Sequence, residues 1–317
     1  MVAIAKTVNA AASMAADVHL AARETVLIKA MPPKSQFKRD GIPNLGIGIG
    51  LRPVHFAEIF AEKPSIDWFE VISENYMDVS GLPMRNLEKI LERYPVVLHG
   101  VSLSIGGPDP LDFDYLKKLK ALARKTKTPW FSDHLCWGRL AGAHYHDLLP
   151  LPLRRDVCEY VAERARIVQD FLEVPFALEN ISSYATYQAD EMAEWEFYSA
   201  VIEQADILMM LDVNNIYVSS RNHGFSPKEY YSKLPLERVV QIHLAGHTDY
   251  GAYCLDTHDD VVCDEVWKIY AEVYPLTGPV STLLEWDDRF LSFSDTWKEA
   301  LKAKAFQQQI IPQFSEK

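Results

Sequence analysis

Eight short apolar runs, separated by longer amphipathic segments, recur between residues 45 and 286. They are LGIGIGL at 45–51, WFEVI at 68–72, VVLHG at 96–100, WFSDHL at 130–135, FALEN at 176–180, ILMMLDV at 207–213, VVQIHLA at 239–245 and VSTLLEW at 280–286. Runs of this length, bounded by polar residues, predict buried strands. The segments between them carry apolar residues every three or four positions, which predicts helices. This alternation is typical of a parallel sheet.

Eight strand and helix units over about 240 residues match the size of a TIM barrel. The sequence therefore predicts an α/β fold, a TIM (β/α)8 barrel, over residues 41–300. A doubly wound open sheet is the alternative, but GIGIGL lacks the third glycine of a GxGxxG fingerprint because Leu51 stands in its place. We expect an N-terminal arm over residues 1–40, helix plus linker or disordered, and a C-terminal tail over residues 301–317.

Side chains of metal-binding type follow nearly every predicted strand from the second onward. They are Glu70, Glu74, His99, Asp133, His134, Glu179, Asn180, Asp212, Asn214, His243, His247, Glu285 and Asp287, with Asp256 and His258 in the loop after the seventh strand. The carboxyl ends of barrel strands meet at one face. Burying several carboxylates and imidazoles there is costly unless a cation neutralises them, which predicts a metal centre. Imidazole and carboxylate ligands without thiolates leave iron, manganese or catalytic zinc.

Composition excludes several other classes of function. The formal net charge of −12 disfavours nucleic acid and anionic lipid as partners. No run approaches the ~18 consecutive apolar residues that a membrane helix needs. The four cysteines show no CxxC spacing, which indicates reduced thiols and a cytoplasmic protein.

The sequence blocks at the predicted strand ends carry a family resemblance over residues 43–290. They are DWFEVISENYM, VVLHGVSLSIG, SDHLCW, LENISSY, LDVNNIYVS, HLAGH, DTHD and LLEWD. Together they resemble the multinuclear non-haem iron-dependent oxidative enzymes, the group that includes the methanobactin-biosynthesis iron oxidase. The motifs look closer to a long-form branch found beside metal-binding peptides than to the shorter methanobactin enzyme.

The resemblance implies a xylose-isomerase-like TIM barrel that holds two or three Fe ions, as Fe(II) or Fe(III), and uses O2 as co-substrate. It also implies oxidative modification of a ribosomally made precursor peptide, often at cysteine. Such enzymes usually work with a small partner protein that binds the leader of the peptide, so a heterodimer is expected.

The resemblance also implies a set of ligands for each iron. One iron would take His99, His134 and Glu179, and a second would take Asp212, His243 and Glu285, with Glu179 as a bridge. A third site would use Asp256 and His258. Asn214 would be a ligand or a hydrogen-bond donor beside one, and the expected proton-handling or supporting groups are Asp133, Glu70 and Asp287.

Two other classes of function fit part of this pattern. A divalent-metal isomerase or hydrolase of the xylose-isomerase or endonuclease type also arrays Glu, Asp and His at strand ends and uses Mn, Zn or Mg. A non-catalytic metal-peptide chaperone would use the same ligands without needing open coordination positions. The metal found after anaerobic purification, together with O2 consumption, distinguishes these classes.

Overall fold

A computed structural model of the chain describes residue 39 and residues 41–310. Eight parallel strands close into a barrel, around which they follow one another in chain order. The strands are β1 (Ile47–Gly50), β2 (Trp68–Ile72), β3 (Val96–His99), β4 (Phe131–His134), β7 (Phe176–Glu179), β8 (Leu208–Asp212), β9 (Val239–Leu244) and β12 (Ser281–Leu284). Each predicted run contains one of them, so the predicted TIM-barrel fold is confirmed. The N-terminal arm lies outside the described residues apart from residue 39.

The helices lie between successive barrel strands and cover the outside of the sheet. They are α1 (Phe56–Glu62), α2 (Leu82–Leu91), α3 (Phe113–Thr126), α4 (Arg155–Leu172), α5 (Glu194–Ala205), α6 (Val213–His223), α7 (Pro227–Tyr231), α8 (Asp264–Thr277) and α9 (Phe293–Ile310). Local signals set their ends. Asp112 caps α3 by accepting from the amides of Asp114 and Tyr115, and Gly224 ends α6 in the left-handed conformation.

Two hairpins on the strand-end face are absent from the sequence prediction. The first pairs β5 (Trp137–Leu140) with β6 (Ala143–Leu149), and the second pairs β10 (Thr248–Asp249) with β11 (Cys254–Leu255). The last helix also crosses the expected start of the tail at residue 301, and Phe306 stacks on Trp267 of α8 with ring centroids 5.0 Å apart. Within the described residues, no helix is long and apolar enough to cross a membrane.

The barrel interior has an apolar floor beneath a polar layer. The floor contains Trp68, Val97, Trp130, Ala177, Leu208, Met210, Val240 and Leu283, all buried. Above it, β9 carries an irregularity because Met209 of β8 pairs with Val239 whereas Met210 pairs with Gln241. The extra residue is Val240, which lies in the floor, and it shifts the side-chain alternation so that its neighbour Gln241, and with it His243, also faces the interior. This bulge therefore positions a predicted ligand.

A buried carboxyl group at the start of α5 gives a prediction about stability. The Tyr230 hydroxyl donates to Glu194 Oε1 at 2.8 Å, and desolvation raises the pKa of Glu194 to about 7. The folded protein therefore keeps this proton above the unfolded pKa of ~4.3, so stability falls as pH rises from there to about 7. Glu194→Gln should raise the free energy of unfolding by about 2 kcal/mol more at pH 8 than at pH 5. Urea denaturation at both pH values tests this, and an equal effect at both would contradict it.

Candidate metal centre

Six of the predicted ligands converge at the strand-end mouth of the barrel. His99, His134, Glu179 and Asp212 are the last residues of β3, β4, β7 and β8, respectively. His243 lies within β9, and Glu285 directly follows β12. All six are at most 8% exposed. The sequence prediction that these side chains lie together thus agrees with the geometry, although their roles as ligands stay a prediction.

The first group joins His99, His134 and Glu179. Glu179 Oε2 lies 3.5 Å from His99 Nε2 and 3.2 Å from His134 Nε2. The other ring nitrogens are already occupied, because His99 Nδ1 contacts Ser132 Oγ at 2.9 Å and His134 Nδ1 contacts the Gly100 carbonyl at 3.2 Å. Such contacts orient imidazoles for metal binding, and they leave both Nε2 atoms facing the carboxylate.

The second group shares Glu179 and adds Asp212, His243 and Glu285. His243 Nδ1 lies 3.3 Å from Glu179 Oε1 and 3.1 Å from Glu285 Oε2. The two oxygens of Glu179 therefore face different groups, Oε2 the first and Oε1 the second. This is the arrangement that a bridging carboxylate requires, since each oxygen can serve a separate ion.

The third group surrounds His258 at the outer edge of the mouth. His258 Nε2 lies 2.7 Å from Asp256 Oδ1, while its Nδ1 lies 3.3 Å from Glu285 Oε2 and 3.1 Å from Asp287 Oδ2. Asn214 donates to Asp256 Oδ1 at 2.7 Å. Asp287, expected as a supporting group, thus stands among the possible ligands with His258 and Glu285.

Hydrogen bonding within the protein leaves several of these atoms without partners. The buried atoms without a hydrogen-bond partner include His99 Nε2, Glu179 Oε2, Asp212 Oδ2, His243 Nδ1 and His258 Nε2. Native proteins pair nearly all buried polar groups, so five unpaired donors or acceptors around one mouth require an explanation. The possible ligand atoms lie within 4.8 Å of one another in the first group, in the second group, and among His258, Glu285 and Asp287 of the third, a set that does not include the predicted ligand Asp256. The residues therefore fit bound cations.

The protonation states in the metal-free protein point the same way. Burial, with the neighbouring imidazoles, holds the pKa of His99 well below its usual value, so this ring is neutral and able to bind a metal. Burial raises the pKa of Asp212 well above its usual value and that of Glu179 to about 7. For His243, burial opposes protonation, but Glu70, Glu179 and Glu285 raise its pKa well above the usual value. In the metal-free protein, protons on these groups thus offset the negative charge of the cluster, which bound cations would offset in the metal-loaded protein.

A polar layer beneath the cluster supports His243. Glu70, an expected supporting residue, lies with Oε1 3.2 Å from His243 Nε2. Gln241 donates to Glu70 Oε2 at 2.6 Å, and its own oxygen accepts from the Trp130 indole at 2.9 Å. Gln241 was not among the predicted site residues. The available signal was an amide inside the otherwise apolar run VVQIHLA.

Arg52 is a second residue that the sequence analysis missed. Its side chain is 10% exposed, donates to the Trp286 carbonyl and Asp287, and lies 3.9 Å from Glu285. Asp287 and Glu285 raise the pKa of Arg52 although burial lowers it. Its signal was a lone arginine directly after the first strand. The guanidinium places a positive charge beside the carboxylates of Glu285 and Asp287.

Asp133 supports the loop beside the first group. Its Oδ1 accepts from the His134 amide at 2.7 Å and its Oδ2 from the Leu103 amide at 3.3 Å. Burial raises the pKa of Asp133 well above its usual value. The carboxyl group therefore fixes the backbone at His134, whose ring nitrogen Nδ1 is 4.0 Å away.

The three groups open into a cavity of about 210 Å³. Its apolar lining includes Ile72, Val101 and Leu148. Its polar lining includes His134, Asp256 and His258. This volume accommodates one side chain of moderate size rather than a folded segment.

The outer position of the third group predicts a graded loss of metal. Substituting His258→Ala should remove the outermost metal equivalent and leave the two inner ones, because Glu179 does not contact His258. Elemental analysis of His258→Ala beside His99→Ala measures this difference. Equal metal loss in both variants would mean that the three groups act as one indivisible cluster.

Known proteins resemble the chain in both sequence and fold. The profile of the family described as RiPP precursor modification enzyme MbnB/TglH/ChrH matches residues 46–308. A UPF0276 protein of Anaeromyxobacter sp. (strain Fw109-5) is 52% identical over 77% of this chain and 86% of its own length. A UPF0276 protein of Acaryochloris marina is 43% identical over 84% of this chain and 97% of its own length.

Solved structures show the same barrel at low sequence identity. A xylose isomerase domain containing protein from Salmonella typhimurium aligns with a TM-score of 0.56 at 12% identity, covering 86% of this chain and 99% of its own. D-Psicose 3-epimerase from Clostridium cellulolyticum aligns with a TM-score of 0.54 at 13% identity, covering 84% and 99%. These likenesses establish the fold class.

Proposed function

The chain belongs to the MbnB/TglH/ChrH family of RiPP precursor modification enzymes, and from that membership we propose that it uses iron and O2 to oxidise a ribosomally synthesised precursor peptide at cysteine. The observation that carries the iron proposal is the shared carboxylate Glu179, whose two oxygens face two separate sets of unpaired ligand atoms. Two adjacent redox ions suit an oxidation that needs more than one electron.

The donor atoms support iron within the range that ligand chemistry allows. Among the described residues, the three groups contain only imidazole nitrogens and carboxylate oxygens. A two-histidine, one-carboxylate set such as His99, His134 and Glu179 is typical of non-haem iron sites with open positions. Bound iron would supply one-electron chemistry with O2, which side chains lack, and a site for a substrate thiolate.

The residues of the chain prepare this site in three ways. Burial keeps His99 and His134 neutral, so their Nε2 lone pairs are free for a metal. Although burial opposes ionisation, His258 and His243 hold the pKa of Glu285 well below its usual value, and Arg52 forms ion pairs with Glu285 and Asp287. The apolar side chains that line the mouth limit the entry of water. Electrostatic interactions inside the mouth are stronger as a result.

The supporting acids have separate roles in this proposal. Glu70 accepts a hydrogen bond from His243 Nε2. This contact orients the other ring nitrogen, Nδ1, toward Glu179 and Glu285. Asp133, which burial favours in its protonated form, holds a proton next to the first group. Asp287 contacts His258 Nδ1 and orients this ring at the mouth.

The surface around the mouth supports a peptide substrate and a protein partner. Several large apolar side chains are at least 37% exposed on loops that follow barrel strands, namely Val101, Tyr145, Tyr184, Tyr250, Tyr253, Phe290 and Leu291. Exposed apolar side chains concentrated on one face mark interaction surfaces. We propose that a small leader-binding protein docks there, because ordering a flexible peptide costs several kcal/mol that a one-side-chain cavity does not recover.

The test is co-expression of the chain with the Cys-containing peptide and the partner encoded beside its gene, followed by mass spectrometry of the intact peptide. We expect a mass change that requires both iron and O2 and disappears when the reacting cysteine becomes serine. A shift that persists in every serine peptide would refute cysteine as the target. Zinc or manganese alone after anaerobic purification, with no O2 consumption, would favour a divalent-metal isomerase or hydrolase.

A further inference from the structure

The mouth of the metal centre continues into a groove. A second cavity, of about 310 Å³, shares Val101 and Leu148 with the mouth. A third, of about 320 Å³, shares Ser102 and His144 with the second. The three cavities therefore follow one another along the loop after β3, which gives a path that leads away from the metal groups.

The groove is suited to an extended chain. One wall is the loop at residues 101–104, which is neither helix nor strand, and the other is the β5–β6 hairpin, through His144 and Leu148. Residues 101–104 span at most roughly 10 Å at ~3.3 Å per residue. A peptide that lies along this loop would place about three or four residues between the mouth and the far cavity.

The far cavity is acidic. Its lining includes four carboxylates, on Glu74, Asp78, Asp112 and Asp114, and the cations Lys118 and Arg139. Lys118 pairs with Asp78 at 2.6 Å and Arg139 with Asp112 at 3.1 Å. Asp114 pairs with Lys117 at 2.9 Å. Three of the four carboxylates thus have a cation of their own.

Glu74 is the exception. Its Oε1 accepts from the amides of Val101 and Ser102, at 3.0 and 2.8 Å, and from the Tyr115 hydroxyl at 2.7 Å. Its Oε2 is buried without a hydrogen-bond partner. Across residues 41–310, no cationic side chain forms an ion pair with Glu74. Glu74 thus lines the groove with a fixed carboxylate, one oxygen of which has no hydrogen-bond partner among the described residues.

We propose that Glu74 binds a basic side chain of the peptide substrate, about three or four residues from the residue held at the metal centre. The inference rests on the proposed peptide-modifying function and adds a sequence requirement to it. A lysine or arginine supplies the donor and the positive charge that Glu74 Oε2 lacks. The aliphatic part of such a side chain suits contact with Met77 and Leu103, which also line the cavity.

The test is equilibrium binding of short dye-labelled peptides to the metal-loaded protein under anaerobic conditions. The peptides contain one cysteine in a neutral background, with lysine about four positions before it, lysine about four positions after it, or norleucine at both positions. Fluorescence anisotropy should show one lysine peptide bound about tenfold more tightly than the norleucine peptide, because a carboxylate in a partly buried groove gains a charge-assisted bond. Glu74→Gln should reduce the ratio to less than about twofold while it keeps an oxygen for the two amides.

Asp249→Asn is the matched control. It removes one carboxylate from the same face of the barrel but outside the groove, so it reports the effect of net charge alone. The tenfold ratio should survive in this variant. Equal binding of lysine and norleucine peptides to the unaltered protein, including binding of neither, would overturn the proposal, as would an unchanged ratio in Glu74→Gln. The measurement needs no turnover, so its failure is separate from a failure of the oxidation itself.

Discussion

Glu179→Gln is expected to remove metal from two sites at once and to abolish oxidation of the peptide. The two oxygens of Glu179 face separate ligand groups, 3.2 Å from His134 Nε2 and 3.3 Å from His243 Nδ1. Glutamine keeps the shape but loses the charge and one acceptor, so it does not bridge two cations. Changes to groups that merely support ligands already cost 10–100-fold in affinity or activity, so we expect a loss of more than about 100-fold here.

Elemental analysis and single-turnover assays measure this loss, and Glu194→Gln is the matched control. It also replaces a buried carboxyl group by an amide, but Glu194 contacts Tyr230 and Ser183 rather than the ligand groups. The control should retain its full metal content. Full iron occupancy in Glu179→Gln, or in His99→Ala and His134→Ala, would refute the ligand assignment.

Asp212→Asn is expected to have opposite effects on stability with and without metal. Asp212 is fully buried, and its Oδ2 has no hydrogen-bond partner. Burial disfavours its charged form, so its pKa is raised and it destabilises the metal-free protein increasingly as pH rises above the unfolded value of ~3.9. Removing the charge should therefore stabilise the metal-free protein at pH 8.

In the metal-loaded protein, the same substitution should be destabilising. A ligand that binds only the folded state stabilises it by about 2.7 kcal/mol at a hundred times its dissociation constant, and a hundredfold weaker site loses about 2.3 kcal/mol of this. Denaturation of the unaltered protein and of Asp212→Asn, each with metal and after chelation, gives the four free energies of unfolding that the comparison requires. The same sign of change in both states would show that Asp212 has a structural role without metal.

Periodicity predicted the barrel well because its strands are buried on both faces. WFEVI coincides with β2, and the other seven runs each contain one strand with small differences at the ends. The β5–β6 hairpin escaped prediction for a physical reason. AHYHDLL lacks the alternation of a half-buried strand, and His146 within it adopts a left-handed backbone with φ of 53°. Its strand character comes from pairing with Trp137–Leu140 rather than from burial.

The metal groups were predictable as a set because strand ends in a barrel converge. The supporting residues were not, since their roles depend on which side of a strand faces inward. Gln241 reaches Glu70 only because β9 contains an extra residue at Val240, and no pattern in VVQIHLA marks this bulge. Arg52 likewise contacts Asp287, 235 positions away in the sequence.

The three ligand groups together draw on strands from β3 to β12, so no contiguous half of the chain contains all of them. A nascent or partly folded chain therefore lacks the complete set of three groups until its last strand has closed the barrel between β9 and β1. Under the proposed function, this delay protects the cell as well as the protein. The full set of irons would be held only by chains that have finished folding, so that half-buried cysteines such as Cys263 would not lie beside a complete iron cluster during synthesis.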